Sequence, residues 1–117
     1  KFCYVTRMQN ANDTGHAEKE FMEMRRAWTD YVIENPALSH ATVRVGLFIA
    51  RRANPKDRAS WWSVTRIAKM CHCSTHTVSL ATDTLVQEGL IFVTQQGRKN
   101  CYHIRFPISV EWRSITQ

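Results

Sequence analysis

The feature of this sequence that most restricts its fold is a gap of two residues. Ser63 precedes a segment in which Val64, Ile67, Ala68 and Cys71 recur at helical spacing, and Ser74 precedes another in which Val78, Ala81 and Leu85 do the same. A serine just ahead of an apolar-periodic run is a helix start signal, because its hydroxyl accepts an N–H bond that the first turn leaves unpaired. Only His72 and Cys73 separate the two helices defined in this way. So short a link makes the helices neighbours in space, with Ile67, Ala68 and Cys73 packing against Val78, Ala81 and Leu85. The first helix then lies across the second and holds it outward.

The flanking sequence adds a hairpin on one side and two helices on the other. Gly89 fits the left-handed position just past the second helix. Residues 90–94 and 101–106 are β-prone, the polar run 95–100 between them has hairpin chemistry, and Pro107 closes the second strand. Upstream, Ser39 caps a helix striped by Ala41, Val45, Phe48 and Ile49, which ends near Ala53 ahead of Asn54-Pro55. Residues 56–60 read as a charged loop, and Trp61-Trp62 as a short strand. Successive strand side chains alternate faces, so one of these tryptophans is expected to be partly exposed.

Nearer the N-terminus, Phe21, Met24, Trp28, Tyr31 and Val32 give an amphipathic helix with one aromatic-rich face, ended by Asn35-Pro36. That face must be covered, either by packing on the rest of the chain or as the seam of a homodimer. The run from Gln9 to Thr14 reads as loop, and residues 1–15 as poorly ordered. The tail through Trp112 has apolar residues suited to packing on the N-terminal helix.

The order helix, helix, strand, helix, turn, helix, strand, wing, strand is that of a winged helix-turn-helix. The expected class is α+β, mostly α, with an added N-terminal helix and a β-hairpin wing. Residues 1–37 form an N-terminal segment, 38–106 the winged domain and 107–117 a tail. Residues 74–91, STHTVSLATDTLVQEGLI, resemble the GntR-type winged-helix regulators in their Ser cap, Thr-Val step, Ala and Leu core, and Gly-Leu-Ile entry to the wing. The wider stretch 38–106 is also similar to the winged helices of plasmid and phage replication proteins. Both resemblances imply binding to double-stranded DNA, with the second helix of the motif in the major groove.

The charge distribution agrees with that partner. Up to Ala37 there are five basic residues against six acidic, and from Leu38 onward eleven against four, so the excess positive charge lies in the winged part. The resemblance places Ser74, Thr75, His76, Thr77 and Ser79 at the DNA-facing front of the recognition helix. It makes Thr77 a phosphate contact and His76 and Ser79 base readers. Arg66 and Lys69 on the preceding helix, and Arg98 and Lys99 on the wing, are expected to neutralise phosphates or enter the minor groove. In the families it resembles, arginine often stands at one or more of the front positions; here there are only His, Ser and Thr. Direct readout is therefore expected to be modest, with more weight on thymine methyls, water or DNA shape.

Other chemistry has little support. Cys71-His72-Cys73, with Cys101 and His103 elsewhere, lacks the two-to-four-residue spacing of paired zinc thiolates, and packing explains these cysteines better. His72 stands where glycine is common in the resembled pattern, at a left-handed position. No phosphate-cradling loop, nucleophile elbow or dinucleotide fingerprint is present, so neither an enzyme nor a cofactor is expected. The longest apolar run, 45–50, is far below the roughly 20 residues that span a bilayer. A cytoplasmic, nucleoid-associated DNA-binding protein with no membrane partner is the expectation. Since position 1 is Lys, flanking sequence is expected as well. The leading expectation is sequence-specific binding of double-stranded DNA by a bacterial or mobile-element transcriptional regulator acting as a dimer; the alternatives are a plasmid or phage replication or partition initiator and a winged helix used to bind protein.

Overall fold

The computed structural model describes residues 11–115. Four α-helices and three strands follow in the order α1 (Ala11–Glu34), α2 (His40–Arg51), β1 (Ala59–Trp61), α3 (Val64–Cys71), α4 (Thr75–Gln87), β2 (Ile91–Gln96) and β3 (Lys99–Ile104), and a 3-10 turn at Trp112–Ser114 comes last. The strands make one antiparallel sheet in the order β1-β3-β2. This is the winged helix-turn-helix expected from the sequence.

Local chemistry starts and stops the helices. Ser39, Ser63 and Ser74 each stand in extended backbone and accept an N–H from the residue three further on, as helix caps do. The polar run from Gln9 to Thr14, read above as loop, is already helical from Ala11. No proline or glycine interrupts it before Gly15, so the chain has no breaker to oppose extension of a helix anchored further on. The remainder of the expected loop, residues 9 and 10, lies outside the described residues.

The face of α1 is covered by the chain itself. Phe21, Trp28 and Val32 are buried, and Met24 and Tyr31 pack half-buried against the same core, with the Tyr31 ring edge-on to Phe106 at 5.6 Å. Of the two fates open to this stripe, packing within the chain is the one observed, and little apolar surface remains on it for a second copy. Gly46 makes the close approach possible: a Cβ there would stand 3.2 Å from the Trp28 ring. The Trp28 Nε1–H donates to the carbonyls of Leu90 (3.0 Å) and Arg105 (2.9 Å), tying α1 to the first residue before β2 and the first after β3. The tail returns to α1, where the contact is an ion pair between Arg113 and Glu20 and not the apolar packing expected.

Two elements sit differently from the sequence expectation. The short strand is not Trp61-Trp62 but Ala59–Trp61, so the expected charged loop loses its last two residues to the sheet. The Asn54 side chain accepts the Lys56 N–H and Asn54 bridges to Ala59, closing a turn that delivers the small residues Ala59 and Ser60 into buried positions. Trp61 is the exposed tryptophan, at 36%; Trp62 leaves the strand and packs edge-on against Phe48 at 5.1 Å. The wing is also narrower than the six polar residues 95–100. Pairing runs to Gln96 and Lys99, and only Gly97-Arg98 turn the chain, with Gly97 at φ +65° and no positive φ at Arg98, the combination a type II′ hairpin needs.

Trp28→Phe keeps most of the apolar ring but removes the donor. It leaves the Arg105 carbonyl unpaired at a buried joint, whereas the Leu90 carbonyl keeps the Arg105 N–H. We expect a loss of about 2 kcal/mol in urea unfolding; an unchanged midpoint would contradict the tie between α1 and the wing.

Candidate nucleic-acid interface

The front of α4 is built by two closures in series. At the end of α3, His72 takes the left-handed conformation (φ 59°), and Cys73 N–H and His72 N–H turn back to the carbonyls of Ala68 (3.0 Å) and Lys69 (3.4 Å). This is the Schellman ending, here on a histidine where glycine is usual. The chain then enters α4 through Ser74, whose Oγ accepts the Thr77 N–H at 3.0 Å and shares a hydrogen bond with the Thr77 hydroxyl at 2.9 Å. The first N–H groups of any helix have no carbonyl behind them, so the start of α4 is a positive end aimed at solvent.

Val78, Ala81 and Leu85 are buried, which fixes the rotation of α4. Ser74, Thr75, His76 and Ser79 are exposed, and Thr77 is half-buried with its hydroxyl engaged in the cap. At the other end Gly89 is left-handed (φ +75°) and Leu90 N–H closes on the Leu85 carbonyl at 2.9 Å, so the helix stops where the wing strand starts.

Arg66 and Lys69 stand exposed on α3, and Arg98 and Lys99 on the wing. Arg66 and Lys99 line one cleft together with Trp61, Trp62 and Ser63, so the helix and the wing present their charge to a common side. Arg98 is carried at the tip of the wing, outside that cleft. Every ion pair among the described residues involves Arg113, which meets Glu20 and Glu111. The four cations near α4 therefore keep their charge available for an external anion.

Four residues of this surface, Arg52, Trp61, Trp62 and Leu80, escaped the sequence reading. The Trp62 ring has the Arg66 guanidinium 5.3 Å from its centroid and that of Arg52 at 5.9 Å, while Arg52 also covers Phe48 at 4.0 Å. This extends the basic surface to the end of α2. Trp61 Nε1–H donates to Gln96 Oε1 at 3.3 Å, fastening the base of the wing to β1. Their signal is tertiary: neither a charge count nor a helical stripe joins positions 52, 62 and 66. Leu80, 54% exposed, was legible in principle, because it lies two residues from Val78 and so far round the helix from the buried stripe.

The described cysteines fall at two places. Cys71 is buried in the helical core and Cys73 packs half-buried against it. Cys101 is buried in the sheet, with its Sγ 3.4 Å from His103 Nε2. Burial pushes both the Cys71 and the Cys101 thiols up, helped at Cys71 by the neighbouring Cys73. Among the described residues, no group of three or more His, Cys, Asp or Glu side chains is placed to hold a metal ion.

A family model described as a helix-turn-helix domain matches residues 37–91, just under half of the chain. The match takes in α2, β1, α3 and α4 and stops at the first residue of β2. Over this stretch the chain is similar to helix-turn-helix domains. Such a domain suggests DNA as the partner. The match does not single out the GntR type among helix-turn-helix families. No curated protein and no solved structure matches the chain. No helix among the described residues is long and apolar enough to cross a membrane.

Two outcomes check this geometry. Ser74→Ala should cost about 1 kcal/mol by thermal or urea unfolding and Ser74→Gly only a few tenths, because glycine still suits the cap position; equal losses would mean that the hydroxyl does not cap α4. Thiols raised by burial favour the fold while protonated, so this contribution is complete below the ordinary thiol range and is lost as pH rises through the raised values. At neutral pH a thiol reagent should therefore label Cys71 and Cys101 far more slowly in the native chain than in urea. Comparable rates would contradict their burial.

Proposed function

We propose that this protein binds double-stranded DNA in a sequence-specific manner and acts as a transcriptional regulator, with the front of α4 in the major groove and the wing alongside. The observation that supports this most is the exposed N-terminus of α4 beside cations that no carboxylate of the described residues neutralises. Positive charge of this kind displaces counterions from the phosphates and supplies affinity for any sequence. Selectivity falls to His76 and Ser79, which offer hydrogen bonds to base edges. Thr77, whose hydroxyl is engaged with Ser74, contributes its place at the helix front more than a free hydroxyl. A protein of this activity would reside on the nucleoid.

The unit of binding we propose is one chain on one half-site. The apolar face of α1, the dimer seam considered from sequence, is covered by the chain's own core. The initiator reading uses the same residues and differs in its target, a series of repeats instead of an operator. A protein-binding role draws on a different observation, the arginine-free outward face of α4 with its exposed Leu80.

The test is selection of randomised duplexes by the full chain at physiological salt, followed by affinity measurements on variants. We expect enrichment of one short motif. Lys99→Ala should weaken every duplex alike and reduce the salt slope by about 1, whereas His76→Ala or Ser79→Ala should cost about 1–3 kcal/mol on the enriched motif and little on random DNA. Equal losses on all duplexes from all three variants would overturn the division of roles. No duplex binding even at low salt would favour the protein-binding role.

A further inference from the structure

Leu80 is a large apolar side chain that the fold leaves uncovered in the middle of α4. The buried residues Val78, Ala81 and Leu85 fix the inward direction of the helix. At about 100° per residue, His76 and Asp83 point opposite to these, with Leu80 about 50° to one side and Ser79 about as far to the other. Leu80 therefore lies on the exposed half of the helix, one turn beyond His76 and to one side of the centre of the outward face. Arg66 and Lys69 stand exposed on α3 and Arg98 and Lys99 on the wing, and no ion pair among the described residues neutralises them. An exposed apolar group on a fold whose neighbouring elements carry unpaired positive charge suits a polyanion whose interior offers an apolar contact.

In the major groove the base edges offer one apolar group, the C5-methyl of thymine; the rest are hydrogen-bond donors and acceptors. We propose that Leu80 reads a thymine by packing against its C5-methyl, about 6 Å along the helix axis from His76 and so roughly two base pairs from the base that His76 reads. The proposal rests on the DNA-binding reading above and adds a residue and a base to it. Asp83, one turn further, supports this placement. Its carboxylate only accepts hydrogen bonds, so it repels phosphate and tolerates an amino group such as cytosine N4. The C-terminal half of the outward face is thereby kept off the backbone, and Leu80 is left facing the base edges.

Deoxyuridine substitution isolates the methyl. In the duplex most enriched by the full chain, each thymine is replaced singly by deoxyuridine and affinity is measured for wild type, Leu80→Ala and Leu80→Met. The wild type should lose roughly fourfold at one position, the free energy of one buried methyl. Leu80→Ala should bind the thymine and deoxyuridine duplexes equally at that position, and Leu80→Met should keep the preference. As Leu80 is exposed, the variants should unfold at the wild-type midpoint, which separates a lost contact from a lost fold. If the wild type binds the enriched duplex but is indifferent to every deoxyuridine, or if Leu80→Ala remains as sensitive as wild type, the assignment of Leu80 is overturned and DNA binding stands. If no duplex is enriched, the sequence-specific reading fails and the thymine contact fails with it.

Discussion

The Trp28 indole is the joint on which the arrangement of this molecule depends. Its N–H serves two carbonyls from opposite ends of the hairpin, those of Leu90 and Arg105, and its ring rests where Gly46 offers no side chain. One buried residue thus fixes α1 against α2 and both against the root of the wing. Leu90 also terminates α4, since its N–H closes on the Leu85 carbonyl. The base of the wing and the end of the recognition helix consequently share one anchor. Anything that loosened the indole would free the wing to swing relative to α4, and the two would no longer present a single surface.

On the proposed reading, that surface separates two kinds of work. Arg52 and Arg66 flank Trp62, and Arg66 reaches the cleft that Lys99 enters from the wing, so charge from α2, α3 and β3 converges on one side of the fold. Rings under guanidinium groups hold the cations in place without neutralising them, which a carboxylate would do. The front of α4, by contrast, carries short polar side chains and one exposed leucine. On that reading, affinity and discrimination fall to different residues.

Much of this was legible in the sequence because the decisive signals are local. Ser39, Ser63 and Ser74 announce helices by a hydroxyl three residues from its N–H partner, and Gly89 ends α4 by a conformation few other residues accept. The stripe Val78, Ala81, Leu85 gives the rotation of α4, and with it the outward positions. What was not legible depends on distant partners. Ala59 and Ser60 have little strand preference of their own and become a strand through pairing with His103 and Tyr102. Gln95, Gln96, Lys99 and Asn100 looked like loop by polarity, yet extend the hairpin because a tight turn at Gly97-Arg98 brings them into register. The aromatic stripe of α1 could be seen to need a cover, but that Gly46 and the hairpin root supply it is a property of the folded chain.

The most direct check on the interface is a titration of a short random-sequence duplex into the isotopically labelled chain at low salt, followed through backbone amide shifts. If α4 and the wing meet DNA together, the amides of residues 74–80, those around Arg66 and Lys69, and those of the Gly97-Arg98 turn should move in concert, and those along α1 should stay in place. Shifts concentrated on α1, or shifts at the wing with none at the front of α4, would contradict the account.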